Sequence, residues 1–302
     1  MSRDRSHLLT EQINPRTTDL DSLEPRLILE RIHAEDRCAF DAVGAVLDEV
    51  ARGVGLVEQA FHSGGRLLYV GAGTSGRLGV LDAAECPPTF GTDPEMVQGV
   101  IAGGHEALVR TREGAEDDAA AGVAEMSARG VGSMDVVLGI AAGSTTPFVL
   151  GALREGHRRG ARTILLACVP VADIEVAGEV DLVIAPLTGP EVIAGSTRMK
   201  AGTATKLVLN MLSTAAMIRI GKTYGNRMVD LRIHSDKLAD RGKRIVRDLL
   251  GATDAEAERL LEAAGGRVKT ALVMGRRGVD RAEAERLLDA ADGFLRRAWG
   301  EG

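Results

Sequence analysis

Small hydroxyl residues stand beside glycine in three stretches of the sequence, and each stretch follows a run of apolar residues. These stretches are Gly71–Gly79 (GAGTSGRLG), Gly143–Thr146 and Gly195–Lys200. Hydroxyl oxygens and free N–H groups at a helix N-terminus bind phosphate monoesters. One such loop is equally an ordinary helix N-cap, but three at one sheet edge favour a shared anionic ligand. The hydroxyl residues concerned are Thr74, Ser75, Ser144, Thr145, Thr146, Ser196 and Thr197.

The first stretch also matches a dinucleotide-binding pattern. Gly71, Gly73 and Gly76 fit G-x-G-x-x-G, which requires an acid about 20 residues further on, at the end of the second strand. That strand ends at Ile101–His105, and the nearest acid beyond it, Glu106, lies at a predicted helix start. We therefore favour a phosphate monoester and interpret the three glycines as backbone clearance around it, with Gly73 as a ligand contact.

Five apolar runs of strand length alternate with helical patterns. Their apolar residues are continuous, which is typical of strands covered on both faces, and the segments between them suit right-handed crossovers. The pattern predicts an α/β fold with a doubly wound parallel sheet, and ligands bind beyond the carboxyl ends of such strands. The runs are Arg66–Val70, Met96–Ala102, Asp135–Ala141, Arg162–Cys168 and Asp181–Ala185.

Helical segments flank the predicted sheet domain, to which we assign residues 57–220. Residues 1–56 are predicted to form an arm, either disordered or laid across the body or a partner subunit, followed by one short and one longer helix. Residues 221–302 are predicted to be helical, with a helix over Val229–Leu249 and a small bundle over 245–302 that includes a helical pattern over Arg281–Trp299.

Composition excludes several classes of function. A net charge of −6 argues against general nucleic-acid binding. The longest apolar helix candidate, Leu207–Ile218, is too short to span a bilayer, and the N-terminus has no apolar segment typical of a secretory signal. Three cysteines spaced far apart suit a reducing compartment. No His, Cys and Asp spacing predicts a metal site.

Three long blocks carry a family resemblance. Leu67–Gly91 and Gly189–Met217 resemble the two signatures of the N-acetylmuramic acid 6-phosphate etherases, and Leu9–Leu23 resembles their N-terminal segment. That family has the sugar isomerase (SIS) fold, as has the animal glucokinase regulatory protein. The resemblance implies a cytoplasmic, homodimeric, cofactor-free lyase of cell-wall sugar recycling. Its reaction releases N-acetylglucosamine 6-phosphate and D-lactate.

The chain departs from the family pattern at three places. Ala141–Pro147 reads AAGSTTP where A-A-S-G-R-T-P is expected, and Val169 replaces an asparagine. Asp230–Leu238 differs from the usual D-L-[KR]-A-T-N-x-K-L and includes His234. These changes affect the predicted details of substrate contact and leave both signatures intact.

The resemblance points to Glu85 and Glu116 as the catalytic residues. Cleaving an ether β to an aldehyde requires a base to remove the C2 proton and an acid to protonate the departing oxygen, and carboxyl groups can do both. We expect Glu85, at a helix end stopped by Pro87-Pro88, to be partly desolvated and to act as the acid. Glu116 is then the base, although the two roles can be exchanged. Without the resemblance, Glu85 would be a solvated helix-end residue and Glu116 a first-turn acid.

Other charged residues permit two interpretations each. Glu191 is either a surface acid or an acceptor for sugar hydroxyls. Arg198, Lys200 and Lys206 are either solvated or paired, with at least one balancing the phosphate, and Lys200 is our candidate. His105 and His234 are expected to be structural or interfacial.

Two other functions remain open for the sequence. One is a sugar-phosphate sensor without turnover, like the glucokinase regulatory protein. The other is an aldose–ketose isomerase of the same fold. Retention of both glutamates favours the lyase.

Overall fold

The computed structural model describes residues 6–231 and 236–301, which fall into two compact units. The first unit comprises Met1–Ala84 and Glu95–Ser213, and the second comprises Glu85–Pro94 and Thr214–Gly302. The division falls within two long helices, so neither unit is a single continuous segment of the chain.

A five-stranded parallel sheet forms the centre of the first unit. Its strand order is β2-β1-β3-β4-β5, which confirms the predicted fold class. The chain leaves β1 and β3 toward opposite edges of the sheet, so their carboxyl ends flank the position where ligands bind in such folds. The strands are β1 Leu67–Gly71, β2 Val97–Ile101, β3 Val136–Ile140, β4 Arg162–Leu166 and β5 Leu182–Ile184.

Helices cover both faces of the sheet, as the continuous apolar runs predict. Leu68 of β1 and Val137 of β3 lie in one core with Phe148. Tyr69 of β1 faces the other side, where it closely approaches Gly79. The helices of this unit, two of which continue into the second, are α1 Pro25–Gly44, α2 Leu47–His62, α3 Gly73–Phe90, α4 Ala119–Ala128, α5 Pro147–Arg158 and α6 Lys200–Arg219.

The N-terminal segment differs in part from the expectation. From residue 6 the described arm lies across the body of its own unit, where Leu8 is buried in the core. The expected short helix is wrong, because α1 has 20 residues and α2 has 16. Pro25 occupies the first position of α1, where its fixed φ and missing N–H favour helix initiation.

The second unit contains a helical bundle with its own apolar core. Thr253 and Glu256 form a reciprocal capping box at the start of its second helix. The predicted helix over Val229–Leu249 is wrong at its start, because Val229 and Leu231 are buried in non-helical backbone. The pattern over Arg281–Trp299 divides at Asp292 and the following glycine, which both have positive φ. The helices are α7 Asp236–Leu250, α8 Asp254–Ala263, α9 Val268–Arg277, α10 Arg281–Ala290 and α11 Leu295–Trp299.

No helix within the described ranges is both long and apolar enough to cross a membrane. In the same part of the chain, no group of three or more His, Cys, Asp or Glu side chains is arranged to hold a metal ion.

Candidate functional site

The glycines of the first loop, Gly71–Gly79, have two different roles. A Cβ added to Gly71 would lie 2.6 Å from the backbone nitrogen of Gly76, and one added to Gly76 would lie 2.6 Å from Cγ1 of Ile101. These two glycines therefore allow α3 to pack on the strands, which corrects their interpretation as ligand clearance. Gly73 alone has a positive φ, +52°, with open space where a Cβ would be. It is the glycine that leaves room for a ligand.

Thr74 and Ser75 lie in the first turn of α3 and are partly exposed. Within residues 6–231 and 236–301, neither hydroxyl makes a hydrogen bond to the protein. A Cβ placed on Gly202 would be 3.5 Å from both the Thr74 methyl carbon and the carbonyl oxygen of Thr197. The first loop and the third loop, Gly195–Lys200, are therefore neighbours, as the shared sheet edge predicts.

The second loop, Gly143–Thr146, lies beside the N-terminal arm. Ser144 is buried and holds a positive φ of +59°. Thr146 precedes α5 but forms no side-chain cap, so its hydroxyl is not used by the helix. A Cβ on Gly143 would lie 3.6 Å from Oγ1 of Thr10 and 3.9 Å from Oγ1 of Thr145. The Thr10 carbonyl in turn accepts the Gly195 N–H at 3.1 Å, which connects this region to the third loop.

Glu191 is neither a surface acid nor open to a sugar hydroxyl. Its side chain is fully buried, and its carboxylate accepts the backbone N–H groups of Lys200 at 3.0 Å and Ala201 at 2.9 Å. Burial raises the pKa of Glu191, against the opposing effect of these two donors. The residue therefore caps the N-terminus of α6 and fixes the loop that carries Ser196 and Thr197.

Lys200 is also buried, and its ammonium group is already paired. Its Nζ donates to Glu35 at 2.7 Å. Arg16 and Asn14 of the arm donate to the same carboxylate. These hydrogen bonds, that of Arg16 most strongly, hold the pKa of Glu35 at about 2 despite its burial. Lys200 thus neutralises a buried carboxylate and is not open to a ligand.

The network around Glu35 has no signal in the sequence, because its members are far apart in the chain. Glu35 and Lys200 are separated by 165 positions. Asn14 also donates to the Pro190 carbonyl, and Thr17 donates to the Val192 carbonyl at 2.9 Å. The arm therefore holds the segment just before the third loop by hydrogen bonds. Arg198 and Lys206 are exposed and remain candidates to balance a phosphate.

Glu116 lies next to the start of α3. A small cavity of about 20 Å³, enough for one water molecule, is lined by Gly73, Arg77, Arg112 and Glu116 among others. Arg77 donates to two carbonyls of the turn after β2. Glu116 is exposed in a short 3-10 turn, and Asp118 rather than Glu116 caps the following helix. Glu116 is therefore a first-turn acid of the short 3-10 helix Ala115–Asp117, which precedes α4.

Glu85 lies in the part of α3 that belongs to the second unit. The expectation that the helix stops at Pro87-Pro88 is wrong, because α3 continues to Phe90. The two prolines lack N–H groups, so they cannot donate to the carbonyls four residues earlier. The expected partial desolvation is also absent from the single chain, in which the Glu85 side chain is exposed. Asp82, one turn earlier, is buried and accepts hydrogen bonds from Tyr69 and Asn210, which anchors α3.

Of the two histidines considered in the sequence, only His105 lies in the part of the chain that the structure describes. His105 is exposed at the start of the 3-10 turn His105–Leu108. His234 lies outside the described residues. Val169, which departs from the family pattern, is fully buried, so its side chain is not exposed to a ligand.

Several known proteins are similar to this chain. The family model for the glucokinase regulatory protein N-terminal SIS domain matches residues 49–156. The N-acetylmuramic acid 6-phosphate etherase of Microcystis aeruginosa (strain NIES-843 / IAM M-2473) is 52% identical over 276 residues, which cover 91% of this chain and 90% of that protein. The same-named enzyme of Synechococcus sp. (strain CC9605) is 54% identical, covering 92% of this chain and 88% of that protein. A solved phosphoheptose isomerase from Neisseria gonorrhoeae aligns with a TM-score of 0.47 and 18% identity, over 63% of this chain and 97% of its own.

Proposed function

This chain belongs to the N-acetylmuramic acid 6-phosphate etherase family of carbon–oxygen lyases, and we propose that it cleaves the D-lactyl ether of N-acetylmuramic acid 6-phosphate. The products are N-acetylglucosamine 6-phosphate and D-lactate. The observation that carries the proposal is the 52% identity to a named etherase over about nine-tenths of both chains.

We assign phosphate binding to the three loops of the first unit, within a sugar-phosphate domain of residues 57–220. Gly73, Thr74 and Ser75 contribute an open helix N-terminus with two hydroxyls that have no protein partner in the described ranges. Such a group of donors is suited to a phosphate monoester. The hydroxyls of the second and third loops extend the binding surface. Glu191 and Lys200 support this surface from the interior and do not touch the ligand.

The chemistry requires two carboxyl groups with opposite tasks. Glu116 removes the C2 proton of the open-chain sugar, and Glu85 protonates the departing ether oxygen, so that D-lactate leaves and a C2–C3 double bond forms. Water then adds at C3, and the proton returns to C2 with the two roles reversed. The exposure of both glutamates gives them access to substrate. The reaction balances without a cofactor, since water is the only co-reactant.

Release of D-lactate by the purified chain tests the activity. The substitution Glu85→Gln removes the acid and should reduce turnover at least about 100-fold, as losses in general acid–base catalysis usually do, with an unchanged circular dichroism spectrum. Asp117→Asn, beside the proposed base, is the matched control and should retain activity. Lactate release by Glu85→Gln close to that of the unmodified chain would exclude Glu85 as the acid.

Exchange of the C2 proton assigns the two roles. In deuterated water, Glu85→Gln should still incorporate deuterium at C2 of unreacted substrate, because the base is intact. Glu116→Gln should not. The reverse pattern would exchange the assignments while leaving the reaction class unchanged.

Isotopic oxygen tests the side on which the ether breaks. In water labelled with heavy oxygen, the label should enter the sugar product at its 3-hydroxyl. Label in D-lactate would show cleavage on the lactyl side and would contradict elimination and water addition.

A sugar-phosphate sensor is the second candidate, favoured by the match of residues 49–156 to the regulatory-protein domain. It predicts saturable binding of the sugar phosphate with no D-lactate released. The lactate assay therefore separates the two functions directly.

We further propose a homodimer that works in the cytoplasm. Leu29, Phe40, Leu81 and Met211 are large apolar side chains with 62%, 59%, 53% and 38% of their surfaces exposed. A contiguous exposed apolar patch is typical of a surface that another chain covers, and we propose that these four side chains belong to such a surface. Sedimentation at several concentrations should give twice the mass of the chain, and a monomer throughout would contradict the proposal.

A further inference from the structure

A cavity of about 670 Å³ lies within the second unit and is separate from the loops described above. Its size is in the usual range for small-molecule sites. It is lined by residues of the loop before α7, the start of α9 and the end of α10. The charged side chains among them are Lys222, Asp230, Arg267, Lys269, Glu285 and Asp289.

Two lysines in this cavity share one carboxylate oxygen. Nζ of Lys222 lies 2.9 Å from Oδ2 of Asp230, and Nζ of Lys269 lies 3.0 Å from the same atom. One lysine is enough to neutralise Asp230, so the second leaves an unbalanced positive charge. Lys269 is 93% buried, since only 7% of its surface is exposed. Burial is also the main reason that its pKa is lowered, and burying a cation that no anion balances costs free energy.

The neighbouring ion pairs do not balance the two lysines, because Arg267 and Arg281 share Glu285 and leave a further positive charge, while Asp289 brings one negative charge to the cavity. Arg267 is paired with Glu285, which also accepts Nε of Arg281 at 2.8 Å. Asp289 is exposed, and in the described part of the chain its carboxylate has no ion pair. The cavity therefore has a cationic region at Lys222 and Lys269 and an open acceptor at Asp289.

The cationic region coincides with the start of α9, which has 10 residues. Arg267 is the N-cap residue and provides no side-chain cap. The first three residues of the helix, Val268, Lys269 and Thr270, line the same cavity, and the N-cap side chain accepts none of their N–H groups. Two ammonium groups and several N–H groups together fit an oxygen-rich anion.

We propose that this cavity is a second ligand site, which binds a phosphorylated sugar. Its phosphate lies against Lys222, Lys269 and the start of α9, and a hydroxyl of the sugar donates to Asp289. The phosphate dianion suits this site better than a carboxylate, because it has three oxygens to accept hydrogen bonds from the ammonium and N–H groups. The site is distinct from the proposed catalytic one.

Calorimetric titration of the full chain with N-acetylglucosamine 6-phosphate tests the proposal. The unmodified chain should bind two molecules per chain. Lys269→Met should weaken one of the two sites about tenfold or more, the usual loss for a hydrogen bond to a charged group. Lys222→Gln, a substitution at a less buried lysine, should affect the same site. Lys243→Gln, a lysine of α7 that does not line the cavity, is the matched control and should change neither site.

The two sites are distinguished by a second pair of measurements. The double substitution Thr74→Val and Ser75→Ala should weaken only the site that Lys269→Met leaves intact. Inorganic phosphate should compete at the Lys269 site, whereas unphosphorylated N-acetylglucosamine and D-lactate should not. A single site per chain, lost in the loop variant and unchanged by both lysine substitutions, would overturn the proposal. Because binding is measured without turnover, failure of the proposed lyase activity would not affect this result.

Discussion

The first loop and the third loop of the sheet edge look alike in sequence, but only the third is held by buried charged residues that were predicted as ligand contacts. Both carry glycine next to small hydroxyl residues. In the first loop, Thr74 and Ser75 stay partly exposed and make no hydrogen bond within the described ranges. In the third, Glu191 and Lys200 are fully buried and satisfied by protein groups. The polar residues that the sequence predicts as ligand contacts therefore divide into partly exposed hydroxyls and buried, paired charges, a difference in burial that the sequence does not reveal.

The largest expected difference between the two loops is in stability. Lys200→Met leaves the buried Glu35 carboxylate without its buried cation, and loss of one member of a buried pair typically costs about 3 kcal/mol. Urea unfolding should show this decrease in the free energy of unfolding. Lys206→Met, on the exposed face of the same helix, is the matched control and should stay within about 0.5 kcal/mol. Equal effects of the two substitutions would show that the network around Glu35 does not stabilise the third loop.

The pH dependence of stability sharpens the same comparison. The pKa of Glu35 in the folded chain is lowered from 4.5 to about 2. The stabilisation linked to it is therefore present above about pH 4.5 and is lost as the pH falls through about 2. Because Arg16 is 59% exposed, solvent weakens its share of the effect. Unfolding measured from about pH 5 to pH 2 should be less pH-dependent in Glu35→Gln than in the unmodified chain, and identical slopes would contradict the assignment.

The smallest expected effects come from one substitution, threonine to valine, made once in the first loop and once in the arm that contacts the third loop. Thr74→Val should leave stability within about 0.5 kcal/mol but weaken sugar-phosphate binding about tenfold, as expected for one hydrogen bond to a charged group. Thr17→Val removes the buried hydrogen bond to Val192 and should cost about 1 kcal/mol of stability without changing affinity. Unfolding curves and calorimetric titrations of both variants would show whether the two threonines differ as proposed.

The sequence predicts the sheet well because its signal is local. Continuous apolar runs such as Leu67–Val70 give the strands, their ends and the sheet edge where the loops meet. The helices are less well predicted at their boundaries. Pro25 starts α1 earlier than its apolar spacing indicates, and α3 continues through Pro87 and Pro88 to Phe90 although these prolines cannot donate hydrogen bonds within the helix.

The sequence by itself determined the α/β class, the three hydroxyl loops and, through long matching blocks, the family. These properties depend on residue type and short-range spacing. Only the tertiary structure decided that Gly73 rather than Gly71 or Gly76 leaves ligand space, that Lys200 is paired with Glu35, and that Lys222 and Lys269 share Asp230. The glycine result depends on how α3 packs on the strands, and the two lysine pairings depend on groups that are distant in the chain. Because burying an unpaired charge costs free energy, those pairings are a property of the whole fold.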